Sequence, residues 1–201
     1  MKKPGLRVGS GKFKRSAIPA ARAHRHHQNS TSARVKEAAF QIIRNRIDIE
    51  SEWIFYDLFA GSGQMGIEAL SLGASHATFV ELVPERLSEI QRALESLDVP
   101  HAQYTLTRAR ANKILPEAFA AETPCVVWAD PPYTYGQVAS NDPAILISLY
   151  HSAAQELPGK APVFVMQVHE KSPVLTPEFL AANSDIEVYR YGSNCLVVIG
   201  G

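Results

Sequence analysis

A chain of 201 residues that is 46% hydrophobic and 20% charged can bury one substantial core but is short for two full domains and a linker. No run approaches the ~18 apolar residues of a membrane helix, no apolar segment follows the basic start as in a leader peptide, and Cys125 and Cys195 form no C-x-x-C pair of a metal or redox site. The formal net charge is zero, yet residues 1–36 hold ten Lys or Arg and no Asp or Glu, so the remaining residues carry ten basic against twenty acidic side chains.

The ten positive charges include Arg7, Lys12, Lys14, Arg15, Arg34 and Lys36. Such a segment suits a polyanion, because each phosphate contacted releases condensed counterions; a solvated tail is the competing reading. His24, His26 and His27 lie in the same stretch without Cys or acidic partners, so they read as polar contacts and no metal is expected. Leu6–Val8 and Phe13–Ile18 flank Gly9-Ser10-Gly11, which predicts a small hairpin ahead of the main domain. Thr31 or Ser32 caps a helix with Val35, Ala39, Phe40, Ile43 and Ile47 on one side. The organisation expected is a basic arm over 1–36 and one domain over 37–201.

Within that domain the pattern alternates. Trp53–Phe59 reads as a buried strand, Gln64–Leu72 as a helix and Ala77–Val80 as a strand. Pro84 opens a helix with Leu87, Ile90, Leu94 and Leu97 in one stripe. Tyr104–Leu106, the helical Asn112–Ala120 and the strand Cys125–Ala129 continue it, followed by a helix near Ala144–Glu156, the strand Val163–Val168 and a short helix begun by Thr176-Pro177-Glu178. The chain closes with Ile186–Tyr191 and Cys195–Ile199 around Gly192-Ser193-Asn194, a hairpin signal. An α/β fold follows: a mostly parallel sheet with helices on both faces and an antiparallel pair at its carboxy-terminal edge.

Two segments carry chemistry. Asp57-Leu58-Phe59-Ala60-Gly61-Ser62-Gly63-Gln64-Met65-Gly66 runs from strand into helix, and its glycines let the backbone turn sharply beside a ligand at the carboxyl end of the sheet. Glu81 ends the next strand, where a carboxylate can accept from two ribose hydroxyls. Glycines and an acid at this spacing also satisfy the dinucleotide fingerprint. Asp57 favours S-adenosylmethionine, since a carboxylate there can receive a cationic amino group but would repel a pyrophosphate; alternatively it caps the loop through backbone N–H groups. The second segment is Asp130-Pro131-Pro132-Tyr133. An exocyclic base amine becomes nucleophilic as its nitrogen pyramidalises, which acceptors aimed at its hydrogens favour. Asp130 offers a carboxylate oxygen, Pro131 a main-chain carbonyl, and Tyr133 a ring on which an extruded base can stack. A plain strand-ending turn is the bland alternative.

Together these motifs resemble the Rossmann-like class I S-adenosylmethionine-dependent methyltransferases. More closely, the chain is similar to the bacterial family that methylates guanine N2 in small-subunit (16S) ribosomal RNA. The likeness runs from Arg7-Val8-Gly9-Ser10-Gly11-Lys12-Phe13-Lys14 through Thr31, Arg34-Val35-Lys36-Glu37, Phe40, Asp57–Leu70, Glu81 and Asp130–Tyr133 to Tyr189-Arg190-Tyr191-Gly192. It implies a seven-stranded sheet, cofactor binding by Asp57, Phe59, Gly61, Gly63 and Glu81, and a guanine held by Asp130, Pro131 and Tyr133. It further implies ribosomal RNA or the small subunit as partner, met through Lys12, Lys14, Arg15 and Arg34, and a monomeric cytoplasmic enzyme. Two positions depart from the family pattern: Arg-Pro-Thr reads Asn29-Ser30-Thr31, and the Asp or Asn expected to accept from the adenine amine aligns with Arg110. Arginine has no acceptor, which shifts adenine recognition to backbone groups or Asn112. Adenine-N6 methylation of DNA and an inactive RNA-binding module are the alternatives.

Overall fold

Seven short apolar runs pair into one sheet in the order β3-β2-β1-β4-β5-β7-β6. The strands are β1 (Ile54–Asp57), β2 (His76–Val80), β3 (Tyr104–Thr107), β4 (Cys125–Ala129), β5 (Val163–His169), β6 (Glu187–Tyr191) and β7 (Asn194–Ile199). The computed structural model describes residues 6–18, 31–132, 142–156 and 161–201. Strands β1 to β5 pair in parallel, while β7 runs antiparallel between β5 and β6. The expected α/β architecture, with its carboxy-terminal antiparallel pair, is the one found.

Side chains alternate across the pleat, so each strand feeds two cores. One holds Phe55, Phe79, Val126, Trp128, Val165 and Val198. It is covered by α1 (Ala33–Arg44), α2 (Gln64–Ser71) and α3 (Pro84–Ser96). On the other face Val127, Ala129, Phe164, Met166 and Val197 pack under α4 (Ala111–Phe119), α5 (Pro143–Glu156) and the short α6 (Pro177–Ala182). Ser32 caps α1, accepting from Val35 N at 3.2 Å. Thr176 does the same for α6, accepting from Phe179 N at 3.3 Å. Pro84 opens α3, where its missing N–H is harmless. No helix among the described residues is long and apolar enough to cross a membrane.

The expected amino-terminal hairpin reduces to a single antiparallel bridge, Arg7 to Ala17. Three backbone bonds still cross it, Val8 N to Ser16 O, Arg15 N to Val8 O and Ile18 N to Leu6 O at 3.0, 2.9 and 2.8 Å, while the donors of the turn go to α2. Gly9 N and Ser10 N donate to the Glu68 carboxylate at 2.9 and 2.7 Å, Lys12 N to Ser71 O at 2.8 Å, and Phe13 N to Ser71 Oγ at 2.9 Å. Gly11, at φ 73°, lies so close to this helix that a Cβ would stand 1.8 Å from Ser71 O. Val8 and Ile18 are 2% exposed within the first core. Lys36, numbered among the arm's positive charges, is buried and paired with Glu68 at 2.6 Å. The boundary drawn after residue 36 thus falls inside α1, and residues 6–18 share the domain's core.

Candidate active site at the switch point of the sheet

The strand order reverses between β1, whose chain continues outward to β2 and β3, and β4, which leads the other way to β5. The crevice at the carboxyl ends of two such strands is where open α/β sheets bind ligands. Asp57 is the last residue of β1, in register with Trp128 of β4, and Asp130 follows two residues on. With period two, both extend the alternation of Phe55, Val126 and Trp128, the face under α1 and α2.

Between β1 and α2 the chain makes the expected turn. Gly61 and Gly63 have φ of 51° and 75°, a left-handed conformation that costs glycine little. Gly63 N donates to Ala60 O at 2.6 Å. A Cβ on Gly63 would stand 2.9 Å from Ile90 Cγ1 of α3, so the loop packs closely against that helix at this position.

Asp57 is 1% exposed and accepts from Gly66 N at 3.2 Å through Oδ2. The loop-capping geometry is therefore present. Burial pushes its carboxyl up to about 7; Asp130 and Glu81 push the same way, against the hydrogen bonds from Gly66 and Phe59. Asp130, partly buried, is likewise raised to about 7 by burial, with the Thr31 hydroxyl pulling it down. That hydroxyl donates to Asp130 Oδ2 at 3.3 Å. Pro131 is buried and Pro132 exposed; Tyr133 lies outside the described residues, as do His24, His26, His27, Asn29 and Ser30.

Four donors converge on Glu81. Leu82 N and Val83 N reach Oε1 at 2.8 and 3.0 Å, while Gly61 N and Arg86 Nη1 reach Oε2 at 3.1 and 3.2 Å. The carboxylate thus ties β2 to the glycine loop, a role that spacing alone did not reveal. Phe59, between Asp57 and Gly61, is partly buried and packs against the second core. Arg110 is the cap residue of α4, with no side-chain cap bond. Asn112, in the first turn, buries Oδ1 without a hydrogen-bond partner among the described residues, as Gln64 buries Oε1. Both stand in the first turn of a helix that follows a strand of the sheet, and a buried acceptor without a partner can take a ligand's N–H group.

On the amino-terminal loop Lys12, Lys14 and Arg15 are exposed, as is Arg34 on α1. Lys12 Nζ sits 4.7 Å from the Phe13 ring centroid, and Arg7 Nη1 donates to Arg15 O at 2.7 Å. Lys12, Lys14 and Arg15 thus stand on a loop fastened to α2, and Arg34 on α1.

A family model described as "Conserved hypothetical protein 95" matches residues 6–158. YlbH of Bacillus subtilis is 35% identical over 130 residues, 64% of this chain and 67% of that one. "Ribosomal RNA small subunit methyltransferase D" of Haemophilus influenzae is 32% identical over 105 residues, 52% of this chain and 53% of that one. The chain thus spans between about half and two thirds of the length of these curated relatives. Among solved structures, the Thermus thermophilus protein TTHA0928 superposes with a TM-score of 0.71 at 22% identity, over 98% of this chain and 99% of that one.

Proposed function

Because this chain belongs to the conserved hypothetical protein 95 family, which a relative named as a small-subunit ribosomal RNA methyltransferase supports in kind, we propose that it is an S-adenosylmethionine-dependent ribosomal RNA methyltransferase. Its target in this reading is the exocyclic N2 amine of a guanine in 16S ribosomal RNA, and its place of work is the cytoplasm. The observation that carries the proposal is the pair Asp57 and Asp130 at the carboxyl ends of β1 and β4, beside a left-handed glycine loop. Buried carboxylates cost free energy unless something positive or hydrogen-bond-donating meets them.

The residues present fit such a cofactor. Asp57 supplies the negative charge that a cationic amino group relieves, Gly61 and Gly63 bring backbone to the cofactor's edge without side chains, and Asn112 Oδ1 offers an acceptor to an adenine amine. Glu81 accepts from the ribose hydroxyls in this reading. Of its four donors only Arg86 rides on a flexible side chain, so Arg86 is the one that yields. Phe59 supplies apolar wall beside the loop. The cofactor, when bound, contributes an electrophilic methyl group carried on a sulfonium.

What the chain itself contributes follows from the acceptors. Asp130 and the Pro131 carbonyl take the two N–H hydrogens of the amine and favour the pyramidal nitrogen. Positive charge grows on that nitrogen as it gains the methyl group, and a preorganised carboxylate stabilises it. With its carboxyl raised to about 7, Asp130 also holds the proton the nitrogen gives up. Tyr133 stacks on the base, and Lys12, Lys14, Arg15 and Arg34 meet backbone phosphates. Replacing Asp130 by Ala should lower the single-turnover rate by ~100-fold or more while leaving cofactor affinity nearly intact. An unchanged rate would remove Asp130 from the chemistry.

A further inference from the structure

We propose that Thr31 is a positioning residue for Asp130, its hydroxyl fixing which carboxylate oxygen faces the target amine. The inference rests on the methyltransferase reading of this site and assigns a task to a residue of the amino-terminal segment. Thr31 and Asp130 lie 99 positions apart, yet Thr31 Oγ1 donates to Asp130 Oδ2 at 3.3 Å. Among the described residues nothing else donates to that carboxylate, so Oδ1 is the oxygen left for a substrate N–H.

Thr31 can do this because it does not wander. It is 9% exposed and immediately precedes Ser32, whose side chain caps α1. Its own carbonyl accepts from Gln64 Nε2 at 3.5 Å, at the first residue of α2 and next to the glycine loop. One turn further along α1, Lys36 is locked to Glu68 of α2 at 2.6 Å. The same Glu68 accepts from Gly9 N and Ser10 N of the basic loop. Thr31 therefore links the carboxylate at the end of β4 to the helix that follows the cofactor loop, while Lys36 and Glu68 tie its helix to the loop carrying Lys12, Lys14 and Arg15. An aspartate beyond a strand end has two free side-chain torsions; a hydroxyl on one oxygen removes much of that freedom before the substrate arrives.

Other charged groups at this end of the sheet do not replace the hydroxyl. Asp57 and Glu81 are acids, Lys36 is committed to Glu68, and Arg86 lies against Glu81 with no bond to Asp130. A hydroxyl donating to a carboxylate favours its ionised form, so its loss has a sign: Asp130 must hold its proton to higher pH.

The test uses the full chain with Thr31→Val, which keeps shape and loses the hydroxyl, Thr31→Ala as a second deletion, and Thr31→Ser, which restores it. Carboxyl titration by NMR of 13C-labelled aspartate, without cofactor or RNA, follows Asp130, its signal assigned by its absence in Asp130→Asn. The Val and Ala variants should raise the midpoint by about half to one pH unit. The acid limb of the single-turnover profile should move with it, at an RNA KM within about two-fold of the parent and a rate at pH 7 roughly ten-fold lower. The Ser variant should match the parent in both. An unmoved midpoint in Val and Ala, or Ser behaving like Val, overturns the proposal. A moved midpoint in a protein whose parent form methylates no RNA sinks the methyltransferase reading and leaves the Thr31–Asp130 pairing standing.

Discussion

Replacing Asp57 by Asn should make the free protein more stable above neutral pH. Asp57 is 1% exposed and its carboxyl is raised from an ordinary 3.8 to about 7. A carboxyl held up in this way keeps its proton in the folded chain after the unfolded chain has released it. Folding stability then falls as pH rises from about 4 towards 7, and the whole penalty is present above 7. At about 1.36 kcal/mol per pH unit, a rise from 3.8 to about 7 sets an upper bound near 4 kcal/mol. The amide of Asn fills the same space, carries no charge to bury, and still accepts from Gly66 N through its oxygen. Relaxation around the ionised parent lowers the bound, so a gain of about 2 to 3 kcal/mol at pH 8 is expected, or roughly 5 to 10 °C in Tm for a chain of this size. Thermal unfolding followed by circular dichroism at pH 8 and pH 4.5 reads it directly. The gain should shrink to about 1 kcal/mol at the lower pH, which lies only slightly above the unfolded value of 3.8, so that little of the penalty has yet built up. A loss of stability at pH 8, or an equal gain at both values, would show that Asp57 is ionised without cost and refute the reasoning.

The remaining expectations concern ligands. Glu81→Ala should weaken both S-adenosylmethionine and its demethylated product in calorimetric titration by ~1.5 to 3 kcal/mol, the worth of hydrogen bonds to a charged acceptor; binding of NAD alone would reverse the cofactor assignment. Because Asp57 is raised to about 7, a cationic amino group that meets it must displace its proton, and affinity for S-adenosylmethionine and for its product should rise with pH through 7; flat pH profiles would contradict this. Neutralising Lys12, Lys14 and Arg15 to Gln should make the slope of log affinity for RNA against log salt shallower by ~0.7 to 0.9 for each phosphate that the loop no longer neutralises, and an unaltered slope would move the RNA surface elsewhere. Deleting the segment is the poorer experiment, since Val8 and Ile18 belong to the core.

Much of this was readable in the sequence because the signals are local. Cys125–Ala129 is an unbroken apolar run and becomes β4 with those bounds; Ser32 before an apolar stripe becomes a cap; the Gly61 and Gly63 turn follows from glycine's backbone freedom. Interactions distant in sequence were not readable. Lys36 looked like one more positive charge on an arm until the fold set it against Glu68, 32 residues away. The hairpin read from Gly9-Ser10-Gly11 is present as a short antiparallel pairing, but the docking of its turn on Glu68 and Ser71 of α2 was not legible. Glu81 shows the middle case: its position was legible, its four backbone and guanidinium donors were not, since no periodicity records what a carboxylate meets.

The central claim, that this site methylates a ribosomal RNA base amine, is tested most directly by nucleoside mass at each position of 16S ribosomal RNA from cells with and without this protein. One guanosine should lose a single methyl group when the protein is absent and regain it when the parent chain, but not the Asp130→Ala variant, is returned. Identical masses at every position in the two RNAs would contradict the account.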